Sequence, residues 1–255
     1  MLEVRGLTKC YRKVPVVDNV SFTVRPYEVL GYLGPNGSGK TTTVNMITGL
    51  LEPTRGHVFF DGRNVKQDIT GFKRRIGYVP EIPYVYPYLS GREYLQLVGR
   101  LRGLPAAPTD RTIDELLRLF SLQGDRHSLI SSYSKGMTQK VLICAALLHD
   151  PDLLIFDEPL SGLDVTSALI FRNLVKALAL RGKIILYSSH VLETVEKVCS
   201  HVMILRKGCV VADDSVDRLR DLMHLPSLED IFAQLVLQED TEKIAADIVE
   251  VMRAH

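Results

Sequence analysis

Nine consecutive residues constrain this 255-residue chain more than any others: Gly34-Pro35-Asn36-Gly37-Ser38-Gly39-Lys40-Thr41-Thr42. They fill every fixed position of G-x-x-x-x-G-K-[ST], the phosphate-loop pattern. The apolar run Val29 to Leu33 predicts a strand leading in, and Thr42 to Leu50 a helix leading out, which is the context the pattern needs. Gly34, Gly37 and Gly39 let the backbone turn so that successive N–H groups face phosphate oxygens, and the helix adds the positive end of its dipole. In such a loop Lys40 reaches the β- and γ-phosphates, and the Thr41 hydroxyl completes the shell of a Mg²⁺ ion. The plainer alternative is a glycine-rich turn with a stray lysine. Chance produces the full pattern in about one chain of this length in a hundred, and the strand and helix context lowers that further. The chain therefore reads as a nucleotide binder.

Composition narrows the partners. Net charge is +1, so no global field recruits nucleic acid or an anionic membrane, and the densest basic cluster, Lys73-Arg74-Arg75, reads as a solvated face. A hydrophobic fraction of 46% with 24% charged residues is that of an ordinary globular protein. No apolar stretch approaches the roughly 18 residues of a membrane span, and the first residues lack the layout of a signal peptide. Cys10, Cys144, Cys199 and Cys209 form no C-x-x-C pair and read as reduced thiols. The expectation is a cytoplasmic protein whose role at a membrane, if it has one, comes through a partner.

Taken in order, the chain alternates. Short β-like runs cover Leu2 to Val4, Val14 to Val17 and Val20 to Val24, with Tyr11 after the first of them. By itself Tyr11 is a partly buried aromatic; upstream of a phosphate loop it is also placed to stack on a purine. Gly49 is a helix stop, and Asp61-Gly62 marks a hairpin between His57–Phe60 and Arg63–Val65. Ile76 to Val79 is a strand closed by Pro80, with Glu81 next. From Ile82 to Ser132 the character changes: prolines and tyrosines lead to Ser90, a helix cap with Glu93 three residues on, and then to two amphipathic helices separated by Pro105 and Pro108. The helix Lys135 to Leu148 and the runs Leu153–Phe156 and Ile184–Tyr187, which read as buried parallel strands, restore an α/β pattern. A late hairpin turns at Lys207-Gly208, and residues 227–252 predict two terminal helices, the first capped by Ser227.

In open α/β sheets ligands gather beyond the carboxyl ends of the strands. Three strands end in chemistry here: the phosphate loop after Leu33, Asp157-Glu158 after Phe156, and His190 after the run ending at Tyr187. Asp157 is expected to hold Mg²⁺ through its water shell. Glu158 is expected to orient and deprotonate an attacking water, and His190 to donate to the γ-phosphate. Apart from a phosphate loop, Asp157-Glu158 would be a solvated strand end and His190 a hydrogen-bonded structural histidine. None of the other six histidines shows metal-ligand spacing.

The ordered set Tyr11, Gly34 to Thr42, Glu81, Tyr133-Ser134-Lys135-Gly136-Met137, Leu153 to Glu158, Ser161-Gly162-Leu163-Asp164 and His190 resembles the ATP-binding-cassette (ABC) ATPase domain. The resemblance covers nearly the whole chain up to about residue 215. It implies an α/β P-loop NTPase (RecA-like) core with an antiparallel β subdomain and an inserted α-helical subdomain. The divisions expected are residues 1–81, 82–132 for the helical insertion, 133–222 for the rest of the core, and 223–255 for the C-terminal helices. It implies ATP with Mg²⁺, and a head-to-tail dimer with a second copy or a homologous subunit. Each ATP then lies between the phosphate loop (Gly34, Asn36, Gly37, Ser38, Gly39, Lys40, Thr41, Thr42) of one chain and the signature segment (Ser134, Gly136) of the other. Tyr11 is implied as the adenine stack, Asp164 as a dimer contact, and residues 82–132 as the part that meets a polytopic membrane permease. Nucleic acid is not an expected partner.

Two departures stand out. The family's usual signature is Leu-Ser-Gly-Gly-Gln, and its usual residue at the Glu81 position is glutamine. Lys135 at a helix start opposes the dipole by a few tenths of a kcal/mol, which an anion docked there would offset. Glu81 adds negative charge near Mg²⁺ and must be metal-linked, solvated or held away until closure. Both substitutions, with the Ser227-Leu228-Glu229-Asp230-Ile231-Phe232 helix, are similar to the subfamily serving ABC-2-type exporters. The alternative is a soluble ABC ATPase of a cytosolic assembly machine.

Overall fold

The computed structural model describes residues 1–236 and Met252. It opens on a hairpin of β1 (Leu2–Tyr11) and β2 (Val14–Val24), turned by Arg12 and Lys13 at φ 46° and 71°. The two short runs expected between Val14 and Val24 are one strand. Register shifts against β1 and Asn19 at φ 50° break its alternation, which is why the sequence shows two pieces. Tyr11 likewise ends β1 rather than following it. With β4 (Arg55–Phe60) and β5 (Arg63–Asn64), joined through Asp61-Gly62, these strands form an antiparallel sheet ordered β2-β1-β4-β5.

The second sheet holds the chemistry. Its order is β10-β9-β3-β8-β7-β6, built from β3 (Val29–Leu33), β6 (Ile76–Val79), β7 (Leu153–Asp157), β8 (Ile184–Ser188), β9 (His201–Arg206) and β10 (Cys209–Asp214). All neighbours except β9 and β10 are parallel. Parity within each strand explains the continuous apolar runs. Leu30, Tyr32, Leu153, Ile155, Ile184 and Leu186 enter a core shared with the antiparallel sheet and α1 (Lys40–Ile47). Their neighbours Leu33, Leu154, Phe156, Ile185 and Tyr187 enter a second core on the opposite face. A strand buried on both faces has no solvent side to encode, and each fully buried Leu, Ile or Phe contributes about 1.5–3 kcal/mol.

Helices complete the two layers. α3 (Gly91–Leu101) starts at a capping box in which Ser90 Oγ accepts from Glu93 N–H and Glu93 Oε2 accepts from Ser90 N–H. α4 (Ala106–Leu119) packs on α3, and Pro108 lies within its first turn, where a missing N–H costs nothing. α5 (Lys135–Leu147) matches its expected span closely, α6 (Val165–Leu180) joins β7 to β8, and α1 runs two to three residues earlier than expected. Three helices escaped the sequence reading: α2 (Ile69–Arg75), α7 (Leu192–Val198) and α8 (Val216–Met223). At seven or eight residues each, they are too short for a helical period to show. α9 (Leu228–Val236) is the first expected terminal helix; the second lies outside the described residues apart from Met252. Among the described residues no helix is long and apolar enough to cross a membrane.

Candidate active site

Because β3, β6, β7 and β8 run parallel, their carboxyl ends meet at one edge of the sheet, and residues at and beyond the ends of β3, β6 and β7 share a cavity of about 330 Å³. Its lining includes Asn36, Gly37, Gly39, Lys40, Thr41, Thr42, Glu81, Asp157 and Glu158, together with Val16 from the antiparallel sheet. Gly39 sits at φ 102°, and a Cβ there would lie 2.7 Å from the Val16 carbonyl oxygen. Glycine is therefore demanded twice, by backbone conformation and by the approach of β2. Lys40 is 9% exposed and donates to the carbonyls of Gly34 at 2.6 Å and Pro35 at 3.2 Å. Burial lowers its pKa, opposed by the charges of Glu158, Asp157 and Glu81.

Strand parity aims Asp157. It continues the Leu153–Ile155 face of β7 toward α1, pairs in register with Ser188, and is 1% exposed. Neither carboxylate oxygen has a hydrogen-bond partner among the described residues, and neither does Ser188 Oγ. Burial raises the Asp157 pKa and the charges of Glu81 and Glu158 push the same way, against the lowering pull of the nearby Ser188 and Thr41 hydroxyls. A buried, unpartnered carboxylate beside a threonine hydroxyl is the donor set of a hard divalent cation such as Mg²⁺. Among the described residues no group of three or more His, Cys, Asp or Glu forms a metal cage. Mg²⁺ does not require one, since it keeps waters and shares substrate phosphates.

Glu158 adopts φ 49°, a left-handed conformation uncommon for a side chain of its size. Its N–H donates to Ser188 O at 3.0 Å. Its carboxylate accepts from Ser189 Oγ at 3.2 Å and lies 2.8 Å from His190 Nδ1. The structure thus brings together Glu158, expected to deprotonate the attacking water, and His190, expected to donate to the γ-phosphate. Most of the His190 side chain is exposed, and it lies outside the cavity lining.

The other expected residues lie apart. Tyr11 is half exposed at the end of β1, outside the cavity lining, with Lys9 Nζ 5.4 Å from its ring centre. Ser134 caps α5, its Oγ accepting from Met137 N–H at 3.2 Å, which leaves the hydroxyl proton free to donate. Gly136 has a steric role in its own chain: a Cβ there would stand 2.4 Å from Gly162 O. Asp164 caps α6 by accepting from the N–H of Ser167 at 2.8 Å and its Oγ at 2.6 Å. Those bonds hold its carboxyl well below the usual range. Sequence reasoning missed Ser188 and Ser189, whose carbonyl and hydroxyl respectively hold Glu158. No motif marks them, and only the Asp157–Ser188 register reveals them.

Comparison with known proteins points to one family and fold. The family model described as "ABC transporter" matches residues 17–161. The chain is 38% identical over 234 residues to the ABC transporter ATP-binding protein NatA of Bacillus subtilis, covering 89% of this chain and 95% of that protein. It is 34% identical over 221 residues to the Nod factor export ATP-binding protein I of Cupriavidus metallidurans, covering 87% and 73%. Among solved structures, an ATP-binding subunit of an ABC transporter superposes with a TM-score of 0.87 at 35% identity, covering 92% of this chain and 99% of that one. A dimeric ATP-binding cassette in a post-hydrolysis state bound to ADP and Pi superposes with a TM-score of 0.78 at 25% identity, covering 84% and 98%.

Proposed function

The chain belongs to the ABC transporter family as an ATP-binding, ATP-hydrolysing subunit, and from that premise we propose that it drives a separate polytopic permease of the ABC-2 export type. The observation that carries the hydrolytic reading is the meeting of Lys40, Asp157 and Glu158 in one cavity, with His190 against Glu158. Lys40 exchanges its loop carbonyls for phosphate oxygens, and backbone N–H groups of residues 36–42 share the charge. Asp157 and Thr41 would hold Mg²⁺, which would supply positive charge to neutralise the phosphates. Glu158 takes a proton from water, and His190 donates to the terminal phosphate. Tyr11 stacks on adenine. The division into residues 1–81, 82–132, 133–222 and 223–255 follows the same reading, with the helical insertion of α3 and α4 meeting the permease at the cytoplasmic face. Relatives named for transport and export favour this over a soluble assembly ATPase.

Ser134 and Gly136 lie outside the cavity that holds Lys40 and Asp157, so they serve a site only across a head-to-tail dimer. Turnover per chain is then expected to rise with protein concentration and to require Mg²⁺, as measured by phosphate release over a dilution series. Magnesium-dependent turnover independent of concentration would remove the dimer from the mechanism.

Glu81 lines the cavity from the end of β6, immediately before the helical insertion, and so is placed to couple nucleotide to permease. Glu81→Ala is expected to abolish stimulation of ATPase activity by the permease. Unchanged basal and stimulated rates would refute the coupling.

A further inference from the structure

The residue after Glu158 is held from a helix outside the cavity. The carbonyl of Pro159 accepts a hydrogen bond of 3.0 Å from Gln139 Nε2 on α5, twenty positions away in sequence. Gln139 is 2% exposed, so removing its amide would leave a buried carbonyl without this donor. The bond secures a strained turn. Glu158 at φ 49° persists only where its surroundings over-determine it. The other restraints are Glu158 N–H to Ser188 O at 3.0 Å, Ser161 N–H to Glu158 O at 3.2 Å, and the carboxylate contacts with Ser189 and His190. Each of those comes from the turn itself or from the end of β8. Gln139 supplies the restraint from α5.

Two further contacts close the gap between α5 and residues 158–164. Gly136 leaves no room for a Cβ against Gly162 O, and Lys140 Nζ lies 3.4 Å from Asp164 Oδ2. The helix that begins after Ser134 is therefore fastened at three points to the segment that begins with Glu158.

We propose that Gln139 is a positioning residue for hydrolysis: it fixes the Pro159 carbonyl, and through it the backbone of Glu158, to the helix carrying Ser134 and Gly136. The inference rests on Glu158 acting as the base. It makes α5 and residues 158–164 one moving unit. Docking of Ser134 on the ATP of a second copy is then transmitted to Glu158 in the first.

The test is Gln139→Met, which keeps the side chain's length and removes its N–H donors. Turnover at saturating ATP is expected to fall between about 10- and 100-fold, the scale of a small misplacement of a reacting group. ATP affinity, read by a fluorescent nucleotide, is expected to stay near wild type, and the thermal midpoint to fall by about a few degrees, the cost of one buried carbonyl without its donor. Built into Glu158→Gln, the same change is expected to leave ATP-dependent dimerisation intact. Wild-type turnover in Gln139→Met, or loss of ATP affinity in step with kcat, overturns the proposal. If Gln139→Met does not fold, Gln139→Asn, one methylene too short to reach Pro159, carries the same expectation. A wild-type chain that never hydrolyses ATP would instead defeat the reading of Glu158 itself.

Discussion

Glu158→Gln is expected to stop ATP turnover while leaving ATP bound between two copies of the chain. The substitution keeps the volume of the side chain, the backbone at φ 49° and the acceptor facing Ser189, so the fold has little reason to respond. It removes the basicity and exchanges the oxygen facing His190 for an amide NH₂. A positioned general base contributes about 10²–10⁴-fold, and phosphate release should fall by that order. Size-exclusion chromatography with ATP and Mg²⁺ should show a stable dimer that the wild type forms only transiently. If the variant keeps more than about a tenth of wild-type turnover, Glu158 is not the base. Its contacts with His190 and Ser189 would then be structural.

Asp157→Asn is expected to separate stability from activity. Among the described residues the buried carboxylate has no hydrogen-bond partner, and its pKa is raised. The sign follows from linkage: a raised carboxyl pKa means the fold binds the proton more tightly than the unfolded chain does. The associated stability is present below the unfolded value near 3.8 and is lost as pH rises through the folded value. At neutral pH the charged Asp157 therefore costs stability, and asparagine relieves that cost. Denaturation in a chelator at pH 7 should show Asp157→Asn more stable by about 1–3 kcal/mol. The advantage should fade as the pH approaches 4. The same variant should lose Mg²⁺-dependent ATP hydrolysis, because the oxygens that lack partners in the fold are the ones a cation needs. A variant less stable than wild type at pH 7 would show that Asp157 is satisfied by the protein itself.

Both residues are marked in the sequence, while much of what surrounds them is not. The phosphate loop announced itself through spacing, because its function needs glycines and a lysine at fixed backbone intervals. Asp157 and Glu158 were legible because they end an apolar run, and that run is apolar because β7 is buried on both faces. His190 was found by the same rule at the end of β8. Ser188, Ser189 and Gln139 were not legible. Their partners lie 20 to 31 positions away in sequence, and a lone Ser or Gln carries no periodic signal. Gly136 was read as a donor to a partner's phosphate, while its tight contact with Gly162 appeared only in three dimensions. The helices α2, α7 and α8 were lost for want of length.

By itself, then, the sequence determined which chemistry the chain carries and where along it each piece stands. Local backbone demands and two-sided burial act on neighbours in the chain, so they leave a local record. Only the tertiary structure decided that Asp157 faces α1 unpartnered, that Glu158 is bent to a positive φ against His190, and that α5 holds the turn beyond it. Those facts depend on strand parity, register and contacts between distant segments, which exist only once the parallel sheet has brought its strand ends to one edge.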